Sequence, residues 1–546
     1  MVPKDHDQKE TNSNQNNTSK RFKKPFFKKW KIQEKDKFFI NFKNFWPLSK
    51  TSGKIFLIYL CIILLGALLL SIPNFALTPT ANPRYSWDYL TGIFLASSAF
   101  SDTGLTVIDV SHSYTFTGQL ILLLLIEAGG IGVLTFKVVL FLIINKKISI
   151  SDTMVAQSER GSTITNSTIH LIKDGFIWLS IVQVTSAFIL FFLFFFNKPG
   201  TVNSAGVQLN VVSPYHNFWK SLWFAIFHST SAINNAGFDI ISPNSLQPYN
   251  VDNHRVYAIQ VIFMLEWIIG GLGYPTFHDI KRKIQARKQG QKVKFSLFTK
   301  LNFWVYLTLF ILGPIGVLST EYASYDNSLI FHSFVNGQKI TKPFIISFVD
   351  ILFNTTASRN AGFSTISIDN FNPGSKSVLA ILMFIGSAPS STAGGIRTTT
   401  FAILLLSTIS IIKNRKYTSV FKKTIPDETV RRSYATFFIS SFLIFIALFI
   451  IYIDSHQVFE NIAKTGSTNN QSVTTQILVL ITSAFGTVGL SPLGYDDMYK
   501  LKATTKILLV LIMFIGQLGV SNTLLIFIKP AREEALKFLD EDVTIG

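Results

Sequence analysis

One cysteine, Cys61, among 546 residues leaves no disulfide framework and no cysteine-based metal site. The nine histidines show no ligand spacing, no glycine-rich loop is followed by Lys-Ser or Lys-Thr, and no Ser/His/Asp arrangement is evident. The sequence therefore gives an enzyme little to work with, and neither an organic cofactor nor a catalytic residue is expected. Charge is scarce as well: 15% of residues are charged and 48% are hydrophobic, a balance too apolar for an ordinary soluble fold. The first 50 residues are polar and then Lys/Phe-rich, so the apolar core of a secretory signal is missing before residue 55.

What the chain does have is apolar runs long enough to cross about 30 Å of hydrocarbon, such as Ile55 to Ile72, Phe176 to Phe196, Phe437 to Ile453 and Ile507 to Ile528. Several such runs imply a bundle, because backbone in lipid must satisfy its own hydrogen bonds. The formal net charge of +19 is gathered between and outside these runs, with 14 Lys and Arg in residues 1 to 54, eight in 281 to 300 and seven in 413 to 432. The positive-inside rule then places those segments and both termini in the cytoplasm, and orientation explains the charge without nucleic acid. Residues 1 to 35 read as a disordered tail. Its Arg21-Phe22-Lys23-Lys24 and Phe26-Phe27-Lys28-Lys29-Trp30 strings suit either an anionic inner leaflet, at about 1 kcal/mol per basic residue, or a purely topogenic role. Cys61, inside the first apolar run, reads as packing.

A short string recurs four times: Ser98-Ala99-Phe100-Ser101-Asp102-Thr103-Gly104-Leu105, Ser231-Ala232-Ile233-Asn234-Asn235-Ala236-Gly237-Phe238, Thr356-Ala357-Ser358-Arg359-Asn360-Ala361-Gly362-Phe363 and Ser483-Ala484-Phe485-Gly486-Thr487-Val488-Gly489-Leu490. Aligned on Gly104, Gly237, Gly362 and Gly489, the copies are separated by 133, 125 and 127 residues. Each has a long apolar run upstream, a shorter segment directly before it and another apolar run after it. The short segments, about Trp87 to Phe100, Phe218 to Ile233, Phe344 to Ala357 and Ser472 to Phe485, are too brief to span and fit re-entrant helices. A second echo follows each copy: Gly129-Gly130-Ile131-Gly132, Gly270-Gly271-Leu272-Gly273, Gly394-Gly395-Ile396-Arg397 and Gly516-Gln517-Leu518-Gly519. The fold class expected is an all-α polytopic membrane protein of four pseudo-symmetric helix, re-entrant pore-loop, helix repeats around a central pore.

Irregular backbone at membrane depth is tolerated where it is buried in protein or lines a watery cavity. Four such loops on one axis offer rings of carbonyl oxygens able to replace a cation's hydration shell, with the negative ends of the short helices aimed at the centre. Ligation is expected mainly from the main chain, because the side chains at one corresponding position differ: Asp102, Asn235, Asn360 and Thr487. The competing reading makes the strings turns between packed helices, with Ala, Ser and Gly present for close contact. Carbonyl chemistry alone does not separate potassium from sodium.

The strings and their fourfold order resemble the Trk/Ktr/HKT superfamily of potassium transporters, over roughly residues 54 to 530, and the bacterial Ktr membrane subunit most of all. Eight spanning runs and no extra helix pair before residue 54 carry that last preference. The resemblance implies potassium as the substrate, at a selectivity filter of Ser101, Asp102, Thr103 and Gly104; Asn234, Asn235, Ala236 and Gly237; Arg359, Asn360, Ala361 and Gly362; and Gly486, Thr487, Val488 and Gly489. Arg359 is expected to be a structural or vestibule charge, since a cation in the filter would repel the ion. The resemblance also implies a homodimer, with Ala531 to Asp542 at that contact or on the partner, and a cytoplasmic nucleotide-binding RCK subunit that gates the pathway. The plasma membrane is the expected location.

Pro389 and the surrounding glycines break the run from Ser377 to Ile412, predicting a mid-membrane loop. In the family a loop at this place obstructs the pore, which makes Gly386, Pro389, Ser390, Ser391, Thr392, Gly394, Gly395 and Arg397 gate candidates; a static kink is the alternative. Two departures from the family's pattern stand out. Asp102 is acidic where relatives carry a neutral residue; it raises cation occupancy, pairs with Arg359 or points away. Gln517 stands where the family commonly has an Arg that faces the gate loop, and Arg397 is a candidate substitute that the sequence does not place. Glu127 and Glu266, inside apolar runs, are either functional carboxylates or solvent-facing charges of the outer vestibule. The expected organisation is a tail at 1–53, repeats at 54–145, 174–281, 298–412 and 434–530, and a tail at 531–546. A less selective sodium/potassium channel or sodium-coupled symporter is the nearest competitor, and a membrane-embedded enzyme or a scaffold with a degenerate pore lies further off.

Overall fold

In the computed structural model the described residues are 51–132, 168–202, 208–251, 254–335, 338–465, 472–520 and 523. All of them belong to the compact unit Pro47–Gly546. The expectations for the basic tail before residue 51, for 133–145 and for the C-terminal tail with its contact segment lie outside the described residues.

The chain runs through four units of like construction. The first holds α1 (Thr51–Leu70), α2 (Tyr89–Phe100) and α3 (Phe116–Ile131). The second holds α4 (Thr168–Phe196), α5 (Phe218–Ile233), α6 (Tyr257–Gly270) and α7 (Tyr274–Lys288). The third is α8 (Leu297–Ala323), α9 (Phe344–Ala357), α10 (Pro373–Ile385) and α11 (Thr398–Ile412), and the fourth α12 (Asp427–Thr465), α13 (Val473–Gly486) and α14 (Ala503–Leu518). Two small hairpins, β1 (His332–Val335) with β2 (Gln338–Thr341) and β3 (Ser419–Val420) with β4 (Lys423–Thr424), are antiparallel; the first pairs Ser333 with Ile340.

Local chemistry fixes where the short helices begin. Asp88 Oδ1 accepts from the Thr91 amide at 3.3 Å to cap α2, and Asn217 Oδ1 accepts from Lys220 at 3.0 Å to cap α5. Asn372 does the same for Ser375 at 2.7 Å, with Pro373 at the first position of α10, where its missing amide costs nothing. Burial then sorts the helices by role. The ends of α2, α5, α9 and α13 are enclosed, with Phe94, Phe227, Phe353 and Phe485 shut off from solvent. By contrast α4, α8 and α12 expose large apolar side chains, among them Val184, Phe188, Ile315, Phe445 and Phe449. Those faces suit lipid, since a soluble protein of this size would bury them.

By length and composition three helices can cross a membrane among the described residues, His170–Phe196, Leu297–Ala323 and Asp427–Asn461, joined by the bent pair α6 and α7 at 92°. Besides the interruption expected within Ser377 to Ile412, the second apolar run of the second unit is also interrupted, between α6 and α7. In every unit the backbone leaves helical geometry at the same place, the last position of the glycine echo. There Gly132 has φ 80° and ψ 127°, Gly273 79° and 146°, Arg397 76° and 141°, and Gly519 83° and 137°. A β-carbon is poorly tolerated in that backbone region, which is why three of the four are glycine. In the third unit that departure is widened, as the sequence predicted, into the segment 386–397 between α10 and α11.

Candidate functional site

The four recurring strings sit at the C-terminal ends of α2, α5, α9 and α13. In three of them the chain turns identically: the amides of Thr103, Ala236 and Val488 donate to the carbonyls of Ser98, Ser231 and Ser483 at 2.9, 2.7 and 2.9 Å. The residue before each of those amides is left-handed, Asp102 at φ 51°, Asn235 at 60° and Thr487 at 48°. The third string is wound one residue tighter, its Ala361 amide donating to Ala357 at 2.9 Å.

The following glycines close a ring. A β-carbon built on Gly104 would stand 2.4 Å from the Ala236 carbonyl oxygen, and one on Gly237 2.6 Å from that of Ala361. From Gly362 the oxygen of Val488 would be 2.0 Å away, and from Gly489 that of Thr103 2.1 Å, which returns to the first string. Each glycine, at φ between 65° and 94°, therefore touches the residue just before the glycine of the next unit. No other residue allows both the backbone angle and the approach. Aromatic side chains brace this ring from behind: Trp267 lies 5.0 Å from Phe353 and 6.2 Å from Phe363, and Phe263 4.8 Å from Phe363, centroid to centroid.

Two cavities meet the strings, and one of them meets the ring itself. One is lined by all four ring glycines together with Asp109, Asp239, Asp369 and Asp497, one carboxylate from each unit. These acids were missed from the sequence because their offsets from the glycines are irregular; the usable signal was that charge is rare, yet one acid follows each string closely. Two of them are partly countered by lysines, Asp497 by Lys500 at 2.7 Å and Asp369 by Lys376 at 3.5 Å, and the other two lie beside histidines, Asp109 2.8 Å from His112 and Asp239 3.5 Å from His228. The other cavity is lined by Ser101, Pro389, Ser390, Ser391, Gly395, Arg397 and Gln517, so it gathers the loop 386–397 under the ring. Gln517 meets that loop, donating to the Thr392 carbonyl at 3.3 Å and to Asp102 Oδ2 at 3.1 Å. The Arg397 guanidinium donates to the carbonyls of Ala393 and Gln517.

Several side chains are not where the alternatives put them. Arg359 is not a vestibule charge and does not pair with Asp102: it is buried, lies 4.1 Å over the Tyr306 ring and donates to the Gly386 carbonyl at 2.9 Å. Tyr306, which nothing in the sequence singled out, also bonds Ser387 at 2.8 Å. Glu266 is not solvent-facing; it is enclosed and accepts from Ser229 Oγ at 2.6 Å. Glu127 accepts from Asn234 Nδ2 at 3.0 Å and Gln183 Nε2 at 3.4 Å, and Gln183 also reaches Thr230 at 2.9 Å. These two carboxylates tie the end of α5 to α3, α4 and α6, an alignment invisible in sequence because it joins residues 37 to 107 positions apart.

Four enclosed helix ends, a ring of backbone contacts and exposed apolar faces define a multi-pass helical membrane protein. Residues 71–536 match the family described as TrkH, cation transport protein, and the chain belongs to that family. It is 30% identical to an uncharacterized cation transporter of Mycoplasma pneumoniae over 91% of this chain and 96% of that protein. It is 28% identical to Ktr system potassium uptake protein D of Bacillus subtilis, over 90% and 96%. Its fold is similar to the crystal structure of the potassium transporter TrkH from Vibrio parahaemolyticus, with a TM-score of 0.56, 17% identity, and 86% and 84% of the two chains covered.

Proposed function

We propose that this chain is the ion-translocating subunit of a potassium uptake system in the plasma membrane, working without covalent chemistry. The observation that carries the reading is the ring in which each glycine meets the backbone of the next unit. A cation is drawn first into the cavity bearing Asp109, Asp239, Asp369 and Asp497, where like-signed carboxylates raise its local concentration. At the ring it exchanges water for the carbonyl oxygens of Thr103, Ala236, Ala361 and Val488. The four helix C-termini, each worth about half an elementary negative charge, favour it there without moving. On the far side the loop 386–397 and Arg397 restrict its exit, so the loop is the gate. In this reading the repeats span 54–145, 174–281, 298–412 and 434–530, and both termini are cytoplasmic.

The uptake system of the Bacillus relative supports a regulated assembly. A homodimer of this chain on a cytoplasmic nucleotide-binding RCK subunit is the corresponding arrangement, with nucleotide control residing in the partner. A less selective sodium/potassium pathway is the second reading, favoured by the acidic Asp102 beside the ring; the bond from Gln517 to that carboxylate weighs against it. Potassium-limited growth of an uptake-deficient host, with and without the cognate regulatory subunit, tests the proposal. Wild type should rescue growth and Gly237→Ser should lose rescue or selectivity. Correctly inserted wild type that fails to rescue even with the partner would overturn it.

A further inference from the structure

The four strings share the ring contact but differ in the side chain two residues before each ring glycine, where Asp102, Asn235, Asn360 and Thr487 stand. Each of the four divergent side chains leads to the loop 386–397. Asn235 Nδ2 donates to Thr392 Oγ1 at 2.5 Å, and Ser387 Oγ donates to Asn360 Oδ1 at 2.5 Å. The Gly394 amide donates to Thr487 Oγ1 at 2.7 Å, and Asp102 reaches the Thr392 carbonyl through Gln517. Arg359, the neighbour of Asn360, holds the Gly386 carbonyl at the loop's first residue.

We infer that Asp102, Asn235, Asn360 and Thr487 are anchors that dock the loop 386–397 onto the ring, so that they position the gate and leave ion contact to the backbone. Two independent features support this. The ring contacts repeat from unit to unit, whereas each of these four side chains leads to the same loop through a different bond, as a single loop touching four units requires. Thr487 is also β-branched yet left-handed, at φ 48° and ψ 55°, a conformation such residues rarely adopt. Glycine would fit that backbone without strain, but it would leave the buried Gly394 amide without its acceptor. Loss of one anchor frees one edge of the loop while the ring glycines and their carbonyl neighbours stay in place.

The inference takes its consequence for transport from the reading of the ring as an ion pathway, so the experiment reads loop docking and ion flux separately. The full chain is reconstituted in proteoliposomes with Cys61→Ser and Ser390→Cys, and the labelling rate by a small thiol reagent reports exposure of the loop, because Ser390 lines the cavity beneath the ring. Rubidium and sodium uptake are measured on the same vesicles. Thr487→Val and Asn235→Ala should each raise labelling about tenfold, the equilibrium worth of a lost buried hydrogen bond. Thr392→Val, which leaves every string intact, should do the same, and combining it with Asn235→Ala should add little beyond either alone. The rubidium-to-sodium ratio should hold while uptake without the regulatory subunit rises. Unchanged labelling, full additivity of the pair, or a shifted ion ratio at wild-type labelling would overturn the anchoring role. Faster labelling in vesicles whose wild type moves neither ion would uphold it and remove the potassium reading instead.

Discussion

The third unit and the other three are built on one plan and differ where it matters. In units one, two and four the string turns through a left-handed residue and the glycine echo ends on a glycine at positive φ. In the third, the string is wound tighter, an arginine enters it, a loop separates α10 from α11, and Arg397 occupies the backbone state that glycine fills elsewhere. Backbone symmetry thus makes the ring, and departure from it in one unit makes the loop.

The comparison breaks most severely at the ring itself. Gly362→Ala sets a methyl 2.0 Å from the Val488 carbonyl in a left-handed backbone, and should abolish uptake while costing about 3 kcal/mol or more of stability, checked by rescue of growth and thermal unfolding in detergent. Next comes Gly516→Ala against Gly519→Ala, two glycines of one echo. A methyl at the first meets the Phe485 carbonyl at 2.0 Å, whereas nothing lies within 4 Å at the second. Gly516→Ala should therefore destabilise by about 2–3 kcal/mol and Gly519→Ala only by the backbone strain of ~1 kcal/mol. Equal effects would mean that close approach is not what the echo serves.

Glu266→Leu removes the acceptor of a buried hydroxyl at Ser229 and should cost about 1–3 kcal/mol, with Glu266→Gln recovering most of it. At the asymmetric position, Arg397→Gly and Arg397→Ala both delete the guanidinium and differ only in the backbone they accept. The glycine variant should be the more stable by about 1 kcal/mol, a difference that vanishes if the left-handed geometry at 397 is not intrinsic to the fold. The smallest effect belongs to the mouth: Asp239→Asn should raise the potassium concentration for half-maximal uptake about twofold at low ionic strength, and the change should fade as added salt shortens the screening length.

Much of this architecture was legible because it is periodic. The short helices Phe218–Ile233 and Phe344–Ala357 fall where the sequence places them, since their caps and apolar content are local properties. The break between α10 and α11 followed from Pro389 and its glycines for the same reason. The positive-φ turns at Gly132, Gly273 and Gly519 were not anticipated, because a glycine in an apolar run is also what close helix packing uses. Arg359 was legible as charged but not as stacked on Tyr306, and Glu266 as ionisable but not as enclosed, since each outcome depends on a partner from another unit.

The sequence by itself determined the membrane class, the four repeats and the glycines on which the ring turns, because hydropathy, helix length and the demand for positive φ are written into short stretches of chain. Tertiary structure alone decided which carbonyl each glycine meets and which side chain holds which part of the loop. Those contacts join residues from different repeats, and their distances exist only once the four units have packed around a common axis.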